Sequence, residues 1–419
     1  MKHRTRTALA VAGCAALLAA CSTQAPESSS GSGGGADDVR TGNGVTDDTI
    51  NVGILTDLSG PFAVSAPLHV TQIQAYWDQV NKDGGVCGRD VKVQVQDHQY
   101  DPQRAVALYR SMAPNVAALQ QVLGSPVVAA LLPLAQEDDL YVGGMGWSSV
   151  ALKYPNAQIP GSTYSIESAN GIDYLVDELG LKKGDKVGVV YYEGDLGGDS
   201  LAGAEYAAKQ RGLEIVPQQI TPRDTDLSAQ ASALKQAGVS AVILGAAPAQ
   251  LASLAGVLVS QGLDVPLLGN SPTYAPSLLQ GPSGPAILKN FYFLSSIAPY
   301  SGDEPGVKEA AALHEAAAPD KPKGWEIPAG SAEALLLKTA MDNACKDGDL
   351  TPAGIVAGIK KTKDLDTKGI ISAPLDYSKE GQPATRSIYL LRPDAQAPGG
   401  LRMEATLEGP SAKSYTFGG

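Results

Sequence analysis

Thr49-Ile50-Asn51-Val52-Gly53-Ile54-Leu55 is a β-rich run that breaks at the turn Asp57-Leu58-Ser59-Gly60-Pro61. Behind it Ile73, Tyr76, Trp77 and Val80 recur at helical spacing, and Gly84-Gly85 offers a left-handed stop. The same unit follows at once. Val91, Val93 and Val95 alternate as a strand, and Asp101-Pro102 opens a helix, Asp capping free N–H groups and Pro taking the first helical position. Further strands are expected at Ala117 to Leu123, Leu140 to Val142, Lys186 to Tyr192, Glu214 to Ile220, Ala241 to Gly245, Val265 to Gly269 and Phe291 to Ser295. A helix is expected from Ala329 to Ala344, then short strands at Leu375 to Tyr377 and Ser387 to Leu391. Such alternation means an α/β fold with parallel sheets, because parallel strands need a crossover that covers the sheet face.

Upstream of this body, Lys2, Arg4 and Arg6 precede an apolar run from Ala8 to Ala20 that is too short to span a bilayer. Residues 1–20 read as an export signal. The run ends at Leu18-Ala19-Ala20-Cys21, which resembles a lipobox and implies that Cys21 carries the lipid anchor. From 21 to 48 the Ser- and Gly-rich chain reads as a flexible tether. The formal charge is −12, near −15 without the three leading cations, which disfavours nucleic acid and anionic headgroups and favours a solvated surface. With Cys14 and Cys21 assigned to the leader and the lipid, Cys87 and Cys345 are left as a pair for an oxidising compartment, either bridged or as two buried thiols. Their spacing matches no zinc site, and nothing in the sequence asks for a metal or cofactor.

Three segments in order, Ile50 to Pro61, Val80-Asn81-Lys82-Asp83-Gly84-Gly85-Val86-Cys87-Gly88-Arg89 and Asp97-His98-Gln99-Tyr100-Asp101-Pro102, resemble the leucine/isoleucine/valine-binding family of type I periplasmic binding proteins. Val122-Leu123-Gly124-Ser125 and Asp195-Leu196-Gly197-Gly198 extend the likeness. The resemblance implies two Rossmann-like lobes with parallel sheets, joined by three hinge crossovers. Residues 49–165 plus 298–383 would form the first lobe and 166–297 plus 384–419 the second. It also implies an extracytoplasmic, monomeric substrate-binding protein that hands a small-molecule ligand to the membrane permease of an ABC importer.

Ligand contacts are expected from loops at strand ends. Ser59 belongs to the first of these. Ser125 matches a family position that meets a ligand carboxylate, while Gly146, Trp147, Ser148 and Ser149 would supply close backbone approach, a flat wall and hydroxyls. In the second lobe Leu196 stands where the family usually has Tyr, and the Ala246 loop lacks the family's aromatic. The family's acidic partner for an ammonium is missing near Ser271. Glu193 and Asp195 are the candidate replacements, and Tyr274 is a further candidate wall. A buried ammonium without a carboxylate is costly, so small amides, carboxylates or planar compounds compete with an amino acid as the ligand. A sensing subunit of the same fold is the alternative role. A secreted enzyme is the weaker rival, for no nucleophile elbow, phosphate loop or metal-protease motif occurs, and His69, His98 and His314 are scattered.

Overall fold

The computed structural model describes residues 39–417, so the export signal, Cys21 and the tether up to residue 38 lie outside the described residues. The expected tether nevertheless ends too late. Strand β1 (Arg40–Thr41) pairs in parallel with a strand near the chain's last quarter, Asp349–Leu350, and Arg40 bonds the Asp349 carboxylate. Arg89 donates from Nε to the Thr46 carbonyl at 2.8 Å, and Val39 and Val45 pack on the core. Residues 39–48 are therefore part of the folded body.

The first sheet contains β2 (Thr49–Thr56), β3 (Asp90–Asp97), β4 (Ala118–Leu123), β5 (Tyr141–Met145) and β6 (Ala157–Gln158). Their spatial order is β3-β2-β4-β5-β6, all parallel. Between them run α1 (Ala66–Lys82), α2 (Pro102–Met112) and α3 (Ser125–Glu137). The Asp101 carboxylate caps α2, accepting from Gln103 and Arg104 N–H at 2.8 and 3.2 Å.

After α4 (Tyr164–Asp177) the second sheet gathers β7 (Lys186–Tyr192), β8 (Glu214–Ile220), β9 (Ala241–Gly245), β10 (Leu267–Asn270) and β11 (Phe291–Ser295), with α5 (Asp195–Arg211), α6 (Ser228–Ala237), α7 (Pro248–Ser260) and α8 (Gly284–Asn290) between strands. The chain then returns to the first lobe as α9 (Pro305–Ala317), α10 (Glu326–Lys346), β12 (Asp349–Leu350) and α11 (Pro352–Lys360). It closes with β13 (Ile388–Pro393), β14 (Leu401–Leu407) and α12 (Pro410–Ser414) on the second sheet. That sheet has the order β14-β13-β11-β10-β9-β7-β8. β7 to β11 are parallel as expected, and β13, antiparallel to both β11 and β14, joins β14 to one edge. The expected strand at Leu375 to Tyr377 is absent. Leu375 makes only an isolated bridge to Leu365, in a segment that crosses between sheets.

Both sheets reverse their strand order next to the first strand of the lobe, the place where open α/β sheets leave a crevice at their carboxyl ends. Three crossovers join the lobes and are tied to one another. Ser162 N–H donates to Ser296 Oγ at 2.9 Å, Ala298 N–H to the Ile370 carbonyl at 2.8 Å, and the Tyr377 hydroxyl to the Ile159 carbonyl at 2.8 Å. Gly161 has φ +109, and a Cβ there would sit 2.6 Å from Ser296 Cβ, so this close passage requires glycine.

Cys87 and Cys345 form a disulfide with a Cα–Cα distance of 6.2 Å, joining the turn after α1 to the end of α10. Closing so long a loop contributes on the order of 5 kcal/mol in the chain-entropy account. Non-reducing peptide mapping is expected to recover the Cys87 and Cys345 peptides as one linked species that reduction separates. Two free peptides would contradict the bridge.

Candidate functional site

Where the carboxyl ends of the two sheets face each other, ten residues line a narrow cleft: Phe62, Ser65, His69, Leu123, Gly124, Met145, Tyr164, Leu196, Pro272 and Trp325. Turns, helix starts and strand ends present most of them. Asp57, fully buried, accepts from the N–H groups of Gly60 at 2.6 Å and Phe62 at 2.9 Å, so the turn after β2 presents the Phe62 ring. Ser65 and His69 stand at the start of α1; Leu123 and Met145 end β4 and β5. From the second lobe Leu196 enters on the first turn of α5. Pro272 enters from the turn after β10, whose Ser271 N–H donates to Glu167 Oε2 at 3.0 Å.

Aromatic rings make the wall. Trp325, just before α10, meets Trp147 edge-on at 6.3 Å and His69 edge-on at 5.4 Å, and Trp147 stacks on Tyr164 at 6.4 Å. Trp325 Nε1 donates to the Tyr274 carbonyl at 3.2 Å. Among the described residues, no Asp, Glu, Lys or Arg lines the space.

Among the residues singled out in the sequence, Leu196 lines this cavity. The others surround it or lie apart. Ser125 is buried at the first position of α3 beside the Tyr164 phenol, and Gly146 presses on its backbone, where a Cβ would come within 2.6 Å. Trp147 is 1% exposed and backs Tyr164 and Trp325 from behind, so it braces the wall without forming its surface. Ser148 caps the 3-10 turn that follows β5, and Ala246 is buried behind β9. Ser59 is exposed and gives its hydroxyl to Asp97 at 2.7 Å, which removes it from the site. Glu193 is exposed, and Asp195 is half-buried with its carboxyl held above the usual range by desolvation; neither lines the cavity. The Ser271 hydroxyl is turned to the Leu294 carbonyl, and Tyr274 is fully buried with its hydroxyl on the Gly400 carbonyl at 2.8 Å. Ser149 donates to Asp199 Oδ1 at 2.5 Å, a bond that crosses from the first lobe to α5 of the second. Burial pushes the Asp199 carboxyl up to about 6, against the hydrogen bonds from Ser149 and Ser165.

Phe62, Ser65, His69, Met145, Tyr164, Pro272 and Trp325 were not anticipated. For Phe62, Met145 and Pro272 the signal lay next door, at Pro61, Gly146 and Ser271. Nothing local marks His69 or Trp325, which reach the site through the packing of α1 against α10. Behind them lie two buried acids of α10. Glu333 Oε2 accepts from Gln121 at 2.8 Å, and its Oε1 is 3.5 Å from His69 Nδ1. Glu326 is fully buried and no side chain donates to either of its oxygens. Desolvation pushes its carboxyl up to about 7, although His69 pulls the other way.

The sequence profile of the periplasmic binding protein family matches residues 49–398. A curated relative named a Leu/Ile/Val-binding protein, from Rhizobium johnstonii, is 26% identical over 47% of this chain and 54% of its own length. The chain thus spans about half of that relative. Among solved structures, a fatty acid ABC transporter substrate-binding protein from Thermomonospora curvata is 38% identical over 91% of this chain and 98% of its own, with a TM-score of 0.88. A branched-chain amino acid ABC transporter protein from Thermus thermophilus with bound valine shares the fold at 18% identity and a TM-score of 0.76, over 88% of this chain and 98% of its own.

The state of Glu326 sets a pH dependence. Below about pH 4.5 the folded and unfolded chains both hold this proton; between there and about 7 the unfolded chain releases it first, so stability falls as pH rises. At about 1.4 kcal/mol per unit the loss totals about 3 kcal/mol. Glu326→Gln is expected to raise the melting temperature at pH 8 and leave it nearly unchanged at pH 4, as read by circular dichroism melts.

Proposed function

The chain belongs to the periplasmic binding protein family, and from that premise we propose that it is the solute-binding component of an ABC-type importer, closing its two lobes on a small, largely apolar molecule. The observation that carries this reading is the cavity at the facing sheet ends, walled by Phe62, Leu123, Met145, Tyr164 and Trp325 from one side and by Leu196 and Pro272 from the other. Sites of this kind bind by burying apolar surface and fix orientation with a few polar groups. An amino acid would bring an ammonium, and no acidic side chain lines the space to receive it. The lining therefore favours a guest like that named for the Thermomonospora curvata protein over one like that named for the Leu/Ile/Val-binding relatives.

The membership of the two sheets supports the division into lobes at 49–165 plus 298–383 and 166–297 plus 384–419, with residues 39–48 added to the first. The family works outside the cytoplasm, which agrees with an exported chain. No helix among the described residues is long and apolar enough to cross a membrane. Attachment through a lipid on Cys21 would keep the protein near its permease, with the Ser- and Gly-rich segment as spacer. The family members it resembles are substrate-binding proteins, which is compatible with a chain that catalyses nothing.

Thermal-shift titration against branched-chain amino acids and medium-chain fatty acids tests the reading. A guest at a hundredfold excess over its Kd adds about 2.7 kcal/mol and raises the Tm by several degrees. Leu196→Asp, which puts a charge into the apolar wall, is expected to abolish that shift while the variant still folds. A panel in which no solute moves the wild-type Tm would count against solute capture.

A further inference from the structure

We propose that His69 is the polar anchor of the cleft and receives the carboxyl head group of an apolar-chain acid, an inference that rests on the solute-binding reading above. Apart from the Tyr164 phenol, which burial keeps protonated, His69 is, among the described residues, the one titratable side chain that lines the cavity. The other polar side chain there, Ser65, turns its hydroxyl to the Phe62 carbonyl at 3.3 Å.

The ring is built into place. It is 2% exposed, with Trp325 against its edge. Gly330 of α10 passes so close to its backbone that a Cβ would stand 3.0 Å from the His69 carbonyl oxygen. From behind, Glu333 Oε1 faces Nδ1 at 3.5 Å, while Gln121 holds the other Glu333 oxygen at 2.8 Å. β4 shifts register at Gln120 and Gln121, so both successive glutamines serve helices packed on the sheet, Gln120 accepting from Trp77 Nε1 at 2.9 Å. Nδ1 faces Glu333 without a hydrogen bond to it, and Nε2 is given to the guest.

An imidazole meets a carboxyl group whichever partner brings the proton. As imidazolium it donates to the carboxylate; as the neutral ring it accepts from the acid's own O–H. An alcohol offers a weaker, uncharged bond. A zwitterion adds an ammonium that the lining leaves without a partner. The expected ranking is a medium-chain carboxylate first, with the corresponding alcohol and an α-amino acid below it.

The test is calorimetric titration of the purified full chain with octanoate, octanol and leucine. Wild type is expected to bind octanoate about tenfold or more tighter than octanol. His69→Ala, and His69→Phe, which keeps the ring volume if the first variant does not fold, are expected to bring octanoate down close to octanol while weakening octanol much less. Glu333→Gln is expected to reduce the same preference, because it removes the group that orients the ring. Variants of His69 that hold octanoate as wild type does would overturn the anchor, as would a wild type that does not distinguish the acid from the alcohol. Preferential binding of leucine would overturn the anchor and leave solute capture standing; binding of no solute at all would reject both.

Discussion

Trp325 is the side chain on which both lobes lean. It belongs to the segment that has returned to the first lobe, yet its indole donates to the Tyr274 carbonyl and meets Phe293 edge-on at 5.7 Å, both in the second. On its other flank it touches His69 and Trp147. A large aromatic surface of this kind gains most when water leaves all of it, and here that happens only while the lobes face each other. The same ring is a wall of the cavity. Packing that favours closure and packing that shapes the guest's seat are thus one set of contacts.

The polar groups near this seam are constrained by burial. Ser149 and Asp199 join across it, Glu167 holds the turn that carries Pro272, and Glu333 backs His69. Burial holds Asp199 and Glu167 above the ordinary carboxyl range, which is the cost of placing acids in a dry hinge region. Those acids meet neighbouring N–H, hydroxyl, amide or imidazole groups, and none of them lines the cavity.

Much of the fold was legible in the sequence because its signals are local. The strands Lys186–Tyr192, Glu214–Ile220, Ala241–Gly245 and Phe291–Ser295 coincide with β-rich runs between turns, and Asp101-Pro102 caps its helix as its chemistry requires. β14 carries no strong signal in the sequence although Leu401 to Leu407 alternates in burial, and the β-rich run at Leu375 lies where the chain crosses between lobes. The site was much less legible. Loop positions pointed to the right turns, but which residue of each turn faces inward depends on the partner loop across the cleft. Ser59 illustrates this, since its hydroxyl is taken by Asp97 on the neighbouring strand, while Phe62, three residues on, faces the guest's space. His69 depends on a helix that arrives more than two hundred residues later, and no window along the chain contains that information.

The bridge between Cys87 and Cys345 spans 258 positions, and α10 covers the first sheet with Ala334, Leu337 and Met341 against Ile50, Val52 and Ile54. A polypeptide is made from its N-terminus onward. The first sheet is complete in sequence by Gln158, but the face that Ile73 and Trp77 of α1 cover in part stays unfinished until α10 has been made. Synthesis of this protein therefore includes an interval in which a half-built domain shows part of its apolar face, and the thiol of Cys87 waits for a mate that has not yet been made.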